Sequence, residues 1–173
     1  PAIISPQMAA ERLDELTGHG AEQRPGQRAM AEAVTAIFAP RPSRGAPAML
    51  LAEAGTGIGK TLAYLAPAAE WTKASGGTVH ISTFTKNLQR QLARETRRLY
   101  SSEAAHRAGV VVRKGRENYL CLLNLEDALQ GGFAGRPAIF ARLAGRWAAY
   151  TRDGDMVGGD LPGWLPTLFR RAG

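Results

Sequence analysis

The stretch AMLLAEAGTGIGKTLAYL, residues 48–65, decides the fold that we expect for this chain. Its first part, 48–54, is a short apolar run between turn residues, which is typical of a buried parallel strand. A glycine-rich turn follows at once, and apolar residues then return at helical spacing from Lys60 to Lys73. Pro67 lies inside this predicted helix, so we expect a kink or an early end there.

The flanking sequence repeats this alternation of helix and strand. Apolar residues at three-four spacing predict a helix over 24–39, with one face made of Met30, Ala33, Val34, Ile37 and Phe38. Further strands are predicted over 78–83 and 110–113, and between them a helix from about Lys86 to Tyr100, capped by Thr85 or Ser82. This order predicts an α/β domain with a parallel sheet and flanking helices, whose ligands bind at the carboxyl ends of the strands.

The character of the sequence changes after Lys114. Helices are predicted over 118–130 and 137–150, the second with Ile139, Phe140, Leu143, Trp147 and Tyr150 on one face, and a loop over 153–166. No strand pattern is found there. We therefore predict two segments, 1–113 as an α/β domain and 114–173 as a mostly helical region.

The glycine-rich turn, 54–61, matches the phosphate-binding loop (P-loop, Walker A) with Ala54 in place of its first glycine. In such a loop, backbone N–H groups surround phosphates and the following helix directs its positive end at them. Lys60 would reach the β- and γ-phosphates and Thr61 would hold Mg²⁺, so a magnesium nucleoside triphosphate is the expected ligand, and these two are the predicted catalytic residues. The predicted nucleotide-binding residues are Arg24, Gln27, Gly55, Thr56, Gly57, Ile58, Gly59, Lys60 and Thr61.

Gln27 is included because its amide can both donate to and accept from the edge of adenine, which would select ATP over GTP. It lies in the segment RPGQ, residues 24–27, at the start of the first predicted helix.

Positive charge is concentrated in one part of the chain. The net charge is +7, and residues 84–120 hold nine basic against three acidic side chains. Such a segment suits a polyanion, although a solvated helix face without a partner is the alternative. The hydroxyl and amide groups after the second predicted strand, and the arginines of the next helix, suit a nucleic-acid backbone. The predicted DNA-binding residues are Thr83, Thr85, Lys86, Gln89, Arg90, Arg94, Arg98 and Arg116.

Composition excludes several other classes of protein. Of the 173 residues, 45% are hydrophobic and 21% charged, which is near the globular average. The longest apolar stretches, such as 62–69, are too short to span a membrane, and no secretory signal precedes them. The single cysteine, Cys121, forbids an internal disulfide and a metal site made of several thiolates within this chain. We expect a cytoplasmic protein.

Four motifs in this order resemble the front of the DinG and XPD-like superfamily 2 DNA helicases, most closely their bacterial DinG/YoaA branch. They are RPGQ at 24–27, EAGTGIGKT at 53–61, STFTKNLQ at 82–89 and KGRENYLC at 114–121, and the resemblance covers roughly residues 20–165. It implies a RecA-like motor domain that uses ATP and Mg²⁺ to unwind DNA from 5′ to 3′, with single-stranded DNA and duplex junctions as partners. By the same resemblance, Cys121 is the first of four cysteines that hold a 4Fe-4S cluster.

The sequence also departs from that family. No acidic pair of the DEAH type follows a strand after residue 122, and Glu126 and Asp127 lie in a predicted helix instead. A second motor domain and three cluster cysteines are missing, so we interpret the chain as an N-terminal fragment that is inactive alone. Three alternatives stay open: a CRISPR-associated DinG-like helicase without a cluster, a P-loop small-molecule kinase, and a non-catalytic nucleotide-binding module.

Overall fold

The computed structural model describes residues 2–18, 22, 24–41, 43–132 and 134–165. Both predicted segments have parts that lie outside the described residues. These parts are residues 1, 19–21, 23 and 42 of the first segment and residues 133 and 166–173 of the second. Within the described ranges there are seven α-helices: α1 Pro6–Thr17, α2 Pro25–Val34, α3 Lys60–Ser75, α4 Lys86–Glu95, α5 Glu103–Gly109, α6 Leu122–Gln130 and α7 Arg136–Ala148. Three 3₁₀ helices, Thr35–Phe38, Thr96–Leu99 and Arg116–Asn118, complete the regular structure of these ranges.

The predicted α/β fold class, with its RecA-like parallel sheet, is wrong for this structure. None of the segments 48–54, 78–83 and 110–113 forms a strand, and the β-pairing found in the described residues is one isolated bridge between Tyr119 and Asp155. A parallel strand needs neighbours that bond to its backbone and elements that cover both faces. Here the apolar side chains of these segments are exposed, Leu51 fully and Val111 by 70%. The apolar runs were identified correctly, but strand pairing is not a local property of a run.

The structure divides into two compact units, one up to Val111 and one from Val112 onward. The core of the first unit lies where α1, α2 and α3 pack together, and it consists of Leu13, Leu16, Ala31, Leu62, Ala63, Leu65 and Ala66. Helix α1 was not predicted from the sequence. Ser5 caps it by accepting a hydrogen bond from the backbone N–H of Met8, and Pro6 occupies its first turn, where a missing N–H costs nothing.

The second helix is where predicted, and its predicted face is buried in part: Val34 is buried and Met30 packs against the core. The buried residues are Gln27, Ala31 and Val34, whereas Ala33 and Ile37 of the predicted face are exposed. The buried amide of Gln27 has a hydrogen-bond partner, so a polar side chain takes a position on the core side.

Helix α3 continues through Pro67 to Ser75, so of the kink or early end expected at Pro67, the early end does not occur. Pro67 cannot donate to the carbonyl one turn earlier, but its ring is fully buried among the core residues, and this packing holds the helix together. The helix ends where Gly76, at φ +67°, donates its N–H to the carbonyl of Thr72.

Helix α4 begins as predicted, with Thr85 as its cap: the Thr85 hydroxyl accepts from the N–H of Leu88 at 3.2 Å. Leu92 of this helix and Leu99 of the following 3₁₀ helix pack against the core of the first unit. The other face of α4 is therefore turned to solvent, and it carries the basic residues.

In the second unit α6 and α7 pack against each other. Helix α6 begins at Leu122, later than predicted, because the residues before it pair with the loop after α7: Leu120 donates to the carbonyl of Gly154, and Met156 donates to that of Asn118. Leu165 is buried, whereas Pro166, the last residue of the predicted loop, lies outside the described residues. None of the described helices is both long and apolar enough to cross a membrane.

Candidate nucleotide-binding site

The glycine-rich loop before α3 has a left-handed backbone at two of its glycines. Gly57 and Gly59 both have φ +84°, a left-handed conformation that other residues adopt at a cost. A side chain at Gly55 or Gly57 would meet no atom within 4 Å, so this part of the loop borders open space. At Gly59 a Cβ atom would collide with the amide of Gln27, so glycine is required there for two reasons.

Lys60 is the first residue of α3, and its ammonium group lies over the loop. Its Nζ atom donates to the carbonyl of Ala54 at 2.9 Å and to that of Gly55 at 2.6 Å. Three donors on one nitrogen and a full positive charge make this group a strong partner for phosphate oxygens. The side chain is thus at the mouth of the loop, where the sequence predicts that phosphates bind.

Thr61, the predicted Mg²⁺ ligand, follows in the first turn of α3 and is half-buried. Its hydroxyl is hydrogen-bonded to the side chain of Tyr64. Burial raises the pKa of the Tyr64 phenol above its ordinary value, and the hydrogen bond with Thr61 opposes that rise. The Tyr64 phenol thus lies beside the Thr61 hydroxyl.

Two side chains from the start of α2 contact the loop. Arg24 donates from Nη1 to the carbonyl of Gly57 at 2.7 Å, and Gln27 donates from Nε2 to the carbonyl of Gly59 at 2.9 Å. Gln27 is only 6% exposed, so its hydrogen bond lies out of competition with water. The motifs at 24–27 and 54–61, far apart in sequence, thus form one site.

These residues line a cleft of about 490 Å³, a volume within the ordinary range for small-molecule sites. Of the nine predicted nucleotide-binding residues, the cleft brings together Arg24, Gln27, Thr56, Gly57, Gly59, Lys60 and Thr61, while Gly55 and Ile58 are not in its lining. Sequence reasoning missed Thr17, Glu22, Leu62, Leu88, Gln91 and Glu95 as lining residues. The three in α4, Leu88, Gln91 and Glu95, lie at helical spacing, so the sequence pattern could have shown that they share one face of the helix. Thr17 and Glu22 belong to no such pattern.

The predicted DNA-binding arginines are divided by the structure. Arg90 and Arg94 lie one turn apart on the exposed side of α4, where Arg90 donates to the side-chain oxygen of Asn87 at 2.7 Å. Arg98, in contrast, lines the cleft beside the glycine-rich loop, donates to the carbonyl of Leu16 at 3.3 Å and pairs with Glu95 at 3.0 Å. The exposed basic surface of α4 is thus carried by residues nearer its start.

The other predicted DNA-binding residues lie at the start of α4 and in the second unit. Thr85 caps α4, Lys86 is exposed in its first turn, and Thr83 and Gln89 are half-buried. Arg116 is exposed in the 3₁₀ helix Arg116–Asn118 of the second unit. The ammonium group of the neighbouring Lys114 donates to the carboxylate of Asp155 and to the carbonyl of Val157, so its charge is paired within the second unit.

Cys121, the predicted cluster ligand, is exposed at the residue before α6. A 4Fe-4S cluster is held by four cysteine thiolates, and this sequence contains one cysteine. The described part of the chain also shows no group of three or more His, Cys, Asp or Glu side chains that could hold a metal ion. This chain can therefore supply one ligand of such a cluster at most, and the cluster of a longer protein stays a prediction.

Comparison with known proteins agrees with the motifs. The profile of the DEAD/DEAH box helicase family matches residues 26–128. The chain is 42% identical over 139 residues to the ATP-dependent DNA helicase YoaA of Escherichia coli (strain K12), a match that covers 79% of this chain and 20% of the relative. It is 33% identical over 153 residues to the 3′-5′ exonuclease DinG of Bacillus subtilis (strain 168), covering 88% of this chain and 16% of the relative.

A further relative, the ATP-dependent helicase DinG of Mycobacterium tuberculosis (strain ATCC 25618 / H37Rv), is 38% identical over 114 residues, or 64% of this chain and 16% of its own length. The chain thus spans about a fifth or less of these curated relatives. No solved structure matches it significantly. The family profile covers more than half of the chain and includes the loop, Lys60 and the basic helix, and the chain therefore belongs to the DEAD/DEAH box helicase family.

Proposed function

We propose that this chain is the ATP-binding part of an ATP-dependent DNA helicase related to DinG and YoaA. The single observation that carries the proposal is the position of Lys60, at the start of α3, over a loop whose glycines adopt φ +84° and whose carbonyls contact Arg24 and Gln27. The relatives support this choice of activity, since that in Escherichia coli is an ATP-dependent DNA helicase and that in Mycobacterium tuberculosis an ATP-dependent helicase.

The residues of the loop fit a magnesium nucleotide. Lys60 would exchange the carbonyls of Ala54 and Gly55 for phosphate oxygens, and the positive end of α3 would add to its attraction for the phosphates. The Thr61 hydroxyl would hold Mg²⁺ beside them. Bound ATP supplies the free energy of hydrolysis that drives movement along DNA. This chain's own residues bind the phosphates, orient them and neutralise part of their charge.

Gln27 would select the base. Its Nε2 donates to the carbonyl of Gly59, which leaves the side-chain oxygen to accept from the amino group of adenine. Guanine has a carbonyl oxygen in place of that amino group. Two acceptor oxygens would then face each other, and no hydrogen bond could form between them. The side chain is buried, so a mismatched polar pair there is costly.

Single-stranded DNA would bind to the exposed side of α4 and to the residues before it. Lys86, Arg90 and Arg94 would contact phosphates, while Thr83, Thr85 and Gln89 would donate to the backbone of the strand. Such contacts read no bases, so binding would be independent of sequence. Duplex junctions are further proposed partners. Arg116, in the second unit, is proposed separately as a phosphate contact.

The chain by itself would hydrolyse ATP slowly. Transfer of a phosphoryl group to water needs a residue that orients the water and a second ligand for Mg²⁺. The acidic pair that performs this task in the family has no counterpart here, since Glu126 and Asp127 both lie within α6. Glu95 of the cleft is paired with Arg98. The sequence that supplies the acid would lie outside this chain.

The nucleotide site is tested by Lys60→Ala in a titration with a fluorescent ADP analogue and Mg²⁺. Loss of a charge-assisted hydrogen bond should weaken binding by about 1.5 to 3 kcal/mol, or roughly ten- to a hundredfold. Lys73→Ala is the matched control, because Lys73 is exposed in the last turn of the same helix. Equal affinity of the Lys60 variant and the unchanged chain would contradict the assignment.

A further inference from the structure

We propose that Arg24 is a positioning residue, which together with Gln27 holds half of the phosphate-binding loop in the conformation that receives phosphates. The inference rests on the proposed nucleotide site. The sequence suggested that Arg24 contacts the nucleotide. The inference instead gives Arg24 a role through the backbone of the loop.

The contacts of Arg24 and Gln27 are parallel. Both side chains project from the first turn of α2, three residues apart, so they lie on the same side of the helix. Arg24 donates to the carbonyl of Gly57 at 2.7 Å and Gln27 donates to the carbonyl of Gly59 at 2.9 Å. The two donors therefore engage alternate residues of the loop.

Fixing a carbonyl also fixes an amide. In a trans peptide the C=O and the following N–H point in opposite directions, and the described chain contains no cis peptide bond. The carbonyl of Gly57 is joined to the N–H of Ile58, and the carbonyl of Gly59 to the N–H of Lys60. Arg24 and Gln27 thus turn these two N–H groups away from α2, in the alternating arrangement by which successive amides bind anions.

The other half of the loop is arranged differently. The carbonyls of Ala54 and Gly55 point at the ammonium of Lys60. By the same argument the N–H groups of Gly55 and Thr56 point away from that ammonium. Phosphate binding therefore requires residues 54–56 to turn when Lys60 releases them, whereas 57–60 already have their orientation. Arg24 contributes to the half that is preset.

The test compares two ligands in the 173-residue chain: Mg-ADP, and Mg-tripolyphosphate, which has neither base nor ribose. If Arg24 acts through the loop, Arg24→Ala weakens the binding of both ligands by a similar factor, about three- to tenfold for an exposed charge-assisted hydrogen bond. Arg24→Lys, which keeps a donor, recovers part of the loss. A loss confined to Mg-ADP, or no loss with either ligand, overturns the proposal.

The matched control is Arg28→Ala. Arg28 lies one turn further along α2, and its guanidinium pairs with Asp14 at 3.1 Å and Glu32 at 3.2 Å rather than with the loop. We expect this variant to bind both ligands as the unchanged chain does, which excludes a general effect of removing an arginine from α2.

A second measurement separates this inference from the proposed function. Amide NMR spectra recorded without added nucleotide should show shifted Ile58 and Lys60 resonances in Arg24→Ala and unchanged ones in Arg28→Ala. If the chain bound neither Mg-ADP nor Mg-tripolyphosphate, the proposed nucleotide site would fail, and the spectra would still decide the role of Arg24. Unchanged Ile58 and Lys60 resonances in Arg24→Ala overturn the positioning role.

Discussion

Replacing each of the two left-handed glycines of the loop by alanine separates backbone strain from a side-chain collision. Gly57 and Gly59 share φ +84°, so alanine at either position incurs the same left-handed cost of about 1 to 2 kcal/mol. Their surroundings differ. A Cβ at Gly57 meets nothing within 4 Å, whereas a Cβ at Gly59 collides with Nε2 of Gln27 and lies 2.8 Å from its Cδ.

The additional cost at Gly59 follows from the burial of Gln27. To make room for the new methyl group, the Gln27 side chain must leave the carbonyl of Gly59, and at 6% exposure it finds little water in exchange. Losing a hydrogen bond with a buried partner costs about 1 to 2 kcal/mol. We therefore expect Gly59→Ala to lower the free energy of unfolding of the first unit by about 2 to 4 kcal/mol, against about 1 to 2 for Gly57→Ala.

Urea denaturation followed by far-UV circular dichroism measures both values. The decisive control is Gln27→Ala: once the side chain is shortened, the collision disappears, and Gly59→Ala in that background should cost no more than Gly57→Ala does. The reasoning is refuted if the two glycine variants are equally destabilised within about 0.3 kcal/mol, or if the cost at Gly59 is unchanged when Gln27 is absent.

Three further predictions concern the basic helix and the second unit. Reversing Arg90 and Arg94 to Glu should abolish most binding of single-stranded DNA in filter assays. For three phosphate contacts, the unchanged chain should show a slope of log affinity against log salt of about minus two. Equal binding by the double variant would mean that this side of α4 is only solvated and does not bind DNA. Hydrogen bonds from Thr151 and from the N–H of residue 152 lower the pKa of Asp160, so its contribution to stability is present above about pH 4 and is lost as the pH falls through the lowered pKa. Asp160→Asn should flatten this dependence in acid denaturation curves, and an unchanged profile would contradict it. Asp155→Ala should destabilise the second unit by about 3 kcal/mol, because it leaves the largely buried ammonium of Lys114 with only the carbonyl of Val157 and no carboxylate. A midpoint in urea equal to that of the unchanged chain would refute that account.

The glycine-rich turn and the start of α3 could be predicted from the sequence because their requirements are local. Positive φ at alternate residues calls for glycine, and a lysine at the start of the next helix follows from the spacing alone. The helix caps are local in the same sense. The Thr85 hydroxyl accepts from the N–H of Leu88, only three residues later, so the start of α4 was predicted correctly.

The predicted sheet failed for the opposite reason. An apolar run such as 48–54 shows that a segment can be buried, but a strand exists only when another segment bonds to its backbone. Leu51 is fully exposed, so no such partner covers it within the described residues. In α3 the helix predicted over 60–73 does form, and the early end considered at Pro67 does not occur, because the buried Pro67 is held within the packed helix.

By itself, the sequence determined where the glycine-rich turn leads into α3 and where a positively charged helix begins, because both depend on residues close together in the chain. Only the tertiary structure decided that Arg24 and Gln27 act on Gly57 and Gly59, and that Arg98 turns to the cleft while Arg90 and Arg94 face solvent. These contacts join residues more than thirty positions apart, or select one side of a helix over another. No local pattern encodes them, because they arise from how α1, α2 and α3 pack around their common core.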